Sequence, residues 1–197
     1  LRLPEPQRPR LVILLRPLSP PTAELVRDGV AVVRAKGGKD SGVPAHVKSG
    51  SYLGNVLALR EAQSRGAYEA LLCGADGSWA EATTSNLFVV KHGALITPGV
   101  ADHILPGITR ALVLCAAREA GIPVQERPVD DALLESADEA FLTSSIKEVL
   151  PIVTLDGAPL GGGRRGPITR RLQGLFAEVV SRLQAQGASR LAEAFPE

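Results

Sequence analysis

The sequence has no methionine and two cysteines, its aromatic content is 4%, and only five of its 22 basic residues are lysine. So few rings leave no base-stacking surface, and 22 basic residues interspersed with 21 acidic ones form no continuous basic stripe. Nucleic acid is therefore not an expected partner. Cys73 and Cys115 sit in apolar contexts without Cys-x-x-Cys spacing and read as buried thiols. The first residues lack the order of a signal peptide, so a reducing cytoplasm is the expected location. The longest apolar run, Leu11 to Leu15, falls far short of the roughly 20 residues of a membrane span. His46, His92 and His103 share no ligand spacing, so no metal is expected. The stretch Gly161 to Gly166 lacks the Gly-Lys-Ser/Thr ending of a phosphate loop and reads as a surface loop.

What is present is enough for a core: 197 residues, 45% hydrophobic, mean hydropathy +0.10. Strands are expected at 10–15 and 29–34, and a helix over 50–65 closed by Gly66. Strands follow at 68–73, 81–84, 86–90 and 94–97, with Lys91-His92-Gly93 as a turn. A helix begins near Ile108 and ends at Gly121. A strand at 124–129, a short helix at 130–137, strands at 139–143 and 149–155, the turn Asp156-Gly157 and a helix from Pro167 to Gln186 complete the order. This mixture predicts an α+β, or mixed α/β, fold with mostly antiparallel strands around the motifs. The segment 37–47 reads as a connection, which divides the chain into 1–36, the remnant of a smaller N-terminal unit, and 48–197, a larger one. The absence of an initiator methionine suggests a sequence that begins inside a longer protein.

Four features carry chemistry. Lys48 lies between apolar Val47 and a helix start, where a partly desolvated amine can attack a carbonyl; the alternative is a solvated surface lysine. Glu81 alternates with Ala80 and Ala82, which turns its carboxylate toward the core side, where it needs a partner. That partner is a protonated ring nitrogen or a nearby arginine. Pro106-Gly107-Ile108-Thr109 at a helix N-terminus offers backbone N–H groups, a positive dipole end and a hydroxyl, suited to a phosphate or to a simple cap. Ser144 and Ser145 end a strand, as further phosphate donors or as turn formers. An amine, a carboxylate and two hydroxyl-and-amide clusters suit an aldehyde cofactor with a ring nitrogen and a phosphate.

The motifs Lys48-Ser-Gly-Ser-Tyr-Leu-Gly-Asn-Val-Leu-Ala58, Glu81 with Ser85-Asn-Leu-Phe88, Thr97-Pro98, Ile104-Leu-Pro-Gly-Ile-Thr-Arg110, Ala137-Asp-Glu-Ala-Phe-Leu-Thr143 and Glu148 with Pro151 occur in one order over residues 10 to 177. In that order the chain resembles the pyridoxal-phosphate enzymes of fold type IV, which include branched-chain and D-amino acid aminotransferases and 4-amino-4-deoxychorismate lyases. The resemblance implies a large domain with a mixed, barrel-like sheet and flanking helices, and pyridoxal 5'-phosphate as cofactor. It implies that Lys48 forms the Schiff base and moves the proton, and that Glu81 pairs with the pyridine nitrogen. Ile108 and Thr109 would hold the phosphate, with Ser144 and Ser145 completing the cup, and Leu105 would pack on the ring. Tyr52 follows the lysine by four residues where relatives place a tyrosine five after, so it is either a cofactor contact or a core or interface residue. A homodimer acting on a small-molecule substrate is likewise implied.

The local wording Lys-Ser-Gly-Ser-Tyr-Leu, Ala-Glu-Ala-Thr-Thr-Ser-Asn and Leu-Thr-Ser-Ser-Ile-Lys-Glu is similar to that of the lyases. The expected reaction is thus release of pyruvate from aminodeoxychorismate to give 4-aminobenzoate, a step of folate synthesis. An aminotransferase of class IV acting on branched-chain or D-amino acids is the alternative, and a noncatalytic ligand-binding homologue the third reading.

Overall fold

The computed structural model describes residues 11–38, 47–48, 50, 52–74, 76–102 and 104–186. After α1 (Ala23–Asp28), which Thr22 caps through its hydroxyl, the valine-rich β1 (Val30–Gly38) enters the centre of a nine-stranded sheet. Next come α2 (Leu53–Ser64), β2 (Glu69–Cys73), β3 (Trp79–Ala82), β4 (Asn86–Lys91), β5 (Ala94–Thr97) and α3 (Ile108–Glu119). The chain ends with β6 (Val124–Glu126), α4 (Asp131–Glu135), β7 (Glu139–Ser144), β8 (Glu148–Leu155), β9 (Ala158–Pro159) and α5 (Pro167–Gln186). The strand order is β3-β2-β1-β8-β7-β4-β5-β6, and a further pairing of β3 with β4 closes the first six into a barrel. β1 runs parallel to β2 and β8, and β5 to β6; the other pairs are antiparallel.

Strand alternation sorts the barrel's two faces. Val30, Val32, Leu71, Ala82, Leu87, Val89, Leu142, Leu150 and Ile152 fill the interior. The outer face of β4 and β7 carries Phe88 and Phe141, cross-strand partners whose rings stack at 4.8 Å. Leu112, Val113, Ala116 and Ala117 of α3, with Leu172, Phe176 and Val179 of α5, cover them at the three- and four-residue spacing of a helix face. α2 covers β1 and β2 through Ala58 and Ala62. Two hairpins close on His92-Gly93 and Asp156-Gly157, both pairs with positive φ as a tight twisted turn requires.

Three expectations change here. Leu11 to Leu15 forms no strand and is exposed, with Leu15 at 93%; among the described residues no strand pairs with it. β1 is hydrogen-bonded between β2 and β8, so one sheet runs across the division expected at residue 36. Most of the connection expected at 37–47 lies outside the described residues. Cys115 is exposed on the outward side of α3 rather than buried, and Cys73 is half-buried.

Candidate active site

Register across three strands builds one wall of the site. Glu81 on β3 stands opposite Asn86 on β4, which stands opposite Thr143 on β7. Directly opposed residues project to one face, and here it is the helix-covered face, because Asn86 alternates in phase with Phe88. Glu81 is buried, and its Oε2 accepts the N–H of Leu105 at 2.9 Å and Nδ2 of Asn86 at 3.4 Å. Asn86 Nδ2 also donates to the Leu105 carbonyl at 2.8 Å. Both polar backbone atoms of Leu105 are therefore tied to the sheet, which fixes the loop that leads into α3.

That loop delivers the tip of α3 onto the wall. Its N-cap, Gly107, makes no side-chain cap, and a Cβ there would collide with Asn86 Oδ1, so only glycine allows the approach. Ile108 is exposed and the Thr109 side chain is buried beside it. Arg110, in the same turn, faces away from this end. It is buried, donates to the Pro98 carbonyl at 2.7 Å and pairs with Glu126 at 2.7 Å. Burial opposes ionisation of Glu126, but the guanidinium groups of Arg110 and Arg118 outweigh it and hold the carboxyl below its usual range.

Lys48 precedes α2 and is solvated rather than partly desolvated as the sequence suggested. It is exposed, and its Nζ donates to the Tyr52 hydroxyl at 2.6 Å; Tyr52 is the half-buried N-cap of α2. One turn on, Asn55 Nδ2 donates to the Thr83 carbonyl at 2.6 Å, which joins the start of α2 to the turn immediately after Glu81. The tips of α2 and α3 thus flank the β3–β4 hairpin, one bringing the amine and the other free N–H groups. At the β7–β8 turn Ser144 is half-buried and its hydroxyl accepts the N–H of Lys147 at 3.2 Å, while Ser145 is exposed. Thr143, just before them, buries a hydroxyl that has no partner among the described residues. A separate groove of about 620 Å³ runs along α5 past Arg165, Arg170, Arg171 and Glu178. It contains none of these residues, and the chemistry lies with the row on the sheet.

Of the expected residues, Lys48 and Tyr52 lie at the start of α2, Glu81 on β3, Leu105, Ile108 and Thr109 at the start of α3, and Ser144 and Ser145 at the β7–β8 turn; hydrogen bonds join Lys48 to Tyr52 and Leu105 to Glu81. Asn86, Thr143 and Asn55 join them without having been singled out. Asn86 and Thr143 stood inside motifs, but a strand register that puts them beside Glu81 is not written in either segment.

Comparison with known proteins places these observations in context. The family model for class IV amino-transferases matches residues 2–155. A probable branched-chain-amino-acid aminotransferase of Aquifex aeolicus is 40% identical over 143 residues, 72% of this chain and 46% of that protein. The crystal structure of the Escherichia coli branched-chain amino acid aminotransferase superposes with a TM-score of 0.77 at 34% identity, covering 80% of this chain and 53% of that one. The branched-chain amino acid aminotransferase of Thermobaculum terrenum, solved in its PLP form, gives a TM-score of 0.77 at 35% identity over 86% of this chain and 56% of that one. The chain spans about half the length of the relatives it matches. These relatives overturn the lyase expected from local wording, since they are named aminotransferases. The words that suggested a lyase come from segments assigned to the cofactor, and such segments carry little of the substrate pocket.

Proposed function

Because this chain belongs to the class IV aminotransferase family, we propose that it is the cofactor-holding portion of a pyridoxal-phosphate-dependent aminotransferase for branched-chain amino acids. The observation that carries the reading is the row Glu81, Asn86, Thr143 beneath the α3 tip. A tip whose N-cap glycine has no side chain to bond it, in a site whose sheet wall includes the buried Thr143 hydroxyl, unpartnered among the described residues, fits a phosphate. A buried carboxylate within the same row fits a cationic ring nitrogen. The residues present therefore suit pyridoxal 5'-phosphate. When bound, it supplies an aldehyde that condenses with amines and a ring that accepts electrons from the neighbouring carbon.

The chain's own residues have distinct tasks in this reading. Lys48 Nζ would attach to the cofactor aldehyde, and once the substrate amine has displaced it, would carry a proton from the substrate α-carbon to the carbon that bore the aldehyde. Tyr52 orients that amine through its hydroxyl. Glu81 would keep the ring nitrogen protonated, Leu105 would pack on the ring, and Ile108 N–H with the Thr109, Ser144 and Ser145 hydroxyls would hold the phosphate. A cytoplasmic homodimer belongs to the same proposal; among the described residues no helix is long and apolar enough to cross a membrane.

The test is addition of pyridoxal phosphate to the protein, then of leucine, isoleucine or valine with a 2-oxo acid acceptor. A visible absorption band that borohydride bleaches while fixing the cofactor covalently to Lys48, with amino transfer to the acceptor in unreduced protein, supports the reading. Protein that stays colourless refutes the cofactor assignment, and transfer confined to D-amino acids refutes the substrate.

A further inference from the structure

Beneath this row the barrel end holds a second buried carboxylate. Glu69, the first residue of β2, is 1% exposed and lies on the interior side with Leu71. Its Oε1 accepts the Thr83 hydroxyl, and its Oε2 accepts those of Thr84 at 2.9 Å and Ser85 at 3.4 Å. The Nζ of Lys147 pairs with the same Oε2 and donates to Ser85 Oγ at 2.8 Å; the Lys147 side chain is only 12% exposed. Its ammonium also stands 5.8 Å from the Tyr68 ring. Burial, with the charge of Glu69 adding to it, pushes the Tyr68 phenol up, so that ring remains a neutral wall.

Ion pairs buried this deeply contribute little net stability, because desolvation offsets the attraction; apolar residues of similar volume can serve as well. What the pair does uniquely is join three segments: the start of β2, the Thr83–Ser85 turn and the β7–β8 turn. Lys147 is held at both ends, since its N–H donates to Ser144 Oγ while its ammonium is anchored 78 residues away. The next residue, Glu148, takes φ of +53°, so the turn is tightly constrained.

We propose that the Glu69–Lys147 pair is a positioning device for the phosphate end of the site, tying the Ser144–Ser145 turn to the Thr83–Ser85 turn so that the Ser144 and Ser145 hydroxyls are held to meet one phosphate with the α3 tip. This rests on the cofactor reading above. In this proposal the pair acts through the two turns rather than by contact with the cofactor.

The experiment compares dissociation constants for pyridoxal phosphate and for pyridoxal, which lacks the phosphate, in full-length protein. Wild type should prefer the phosphorylated form strongly. Lys147→Met should lose about tenfold or more of that preference, with pyridoxal affinity nearly unchanged, and Lys147→Arg should recover part of it. If Lys147→Met fails to fold around an unpaired Glu69, the double variant Glu69→Gln/Lys147→Met removes both charges. It should melt like wild type yet show the same lost preference. Equal weakening toward both ligands, or an unchanged preference in the folded double variant, overturns the proposal. Wild type that binds neither ligand defeats the cofactor reading itself, and this inference with it.

Discussion

The two long helices that cover the outer face of β4 and β7 meet the sheet in the same way and finish differently. Each begins after a glycine packed against a polar side chain from a strand: Gly107 against Asn86, Gly166 against Glu139. At α5 the Glu139 carboxylate closes the helix end, accepting the N–H of Ile168 at 3.0 Å and of Thr169 at 2.7 Å. At α3 the amide of Asn86 turns to Leu105 and Glu81, leaving the helix tip without a side-chain cap. The negative charge that stabilises a helix N-terminus is built into one helix. The other has no side-chain cap and no acidic residue in its first turn. α3 is secured from its flank instead, through Arg110 and Glu126.

The largest effect should come from removing the amine that the open tip serves. Lys48→Ala is expected to abolish the visible band and to reduce amino transfer by about a thousandfold or more, measured by absorbance and steady-state kinetics. Next, methyl groups can be placed at both glycines. Gly107→Ala and Gly166→Ala should each destabilise the protein by about 1–3 kcal/mol through overpacking, in thermal melts. Only Gly107→Ala should also weaken pyridoxal phosphate binding, and equal weakening by both would erase the distinction between the helices.

Opening the closed helix sharpens the contrast from the other side. Glu139→Ala should cost about 1–2 kcal/mol of stability while leaving cofactor affinity intact. Thr109→Val, at the open tip, should do the reverse: a several-fold loss of cofactor affinity, from one hydrogen bond worth about 1 kcal/mol, and an almost unchanged melting temperature without cofactor. The smallest effect concerns the flank anchor. The folded-state pKa of Glu126 lies below its unfolded value, so its contribution is complete above the unfolded value and is lost as pH falls through the folded one. Acid melts of wild type should therefore fall more steeply than those of Glu126→Gln below the ordinary glutamate range. Parallel curves would remove Glu126 from the account.

Elements governed by neighbours in sequence were legible. The α5 bounds, the His92-Gly93 and Asp156-Gly157 turns and the burial of Glu81 on the face opposite Ala82 follow from periodicity, from glycine's access to positive φ and from strand alternation. β3 shows where that reading stops. Alternation placed it over 81–84, but it spans Trp79–Ala82, because the hydroxyls of Thr83, Thr84 and Ser85 turn to Glu69 instead of continuing the strand. Leu11 to Leu15 has a strand's composition and no paired strand among the described residues, and composition alone cannot supply a ladder. The reaction was misread for a similar reason, since motifs that hold a cofactor are shared by enzymes with different substrates.

By itself the sequence determined the order of the helices and turns and which residues are candidates for the chemistry, because amines, carboxylates, glycines and apolar periods act over a few positions. Only the tertiary structure decided that Glu81, Asn86 and Thr143 share a row, that the α3 tip stays open while α5 is closed, and that Glu69 meets Lys147. Each of these depends on strand register and on groups distant in the chain, because buried polar groups bond to whatever partners the fold brings beside them.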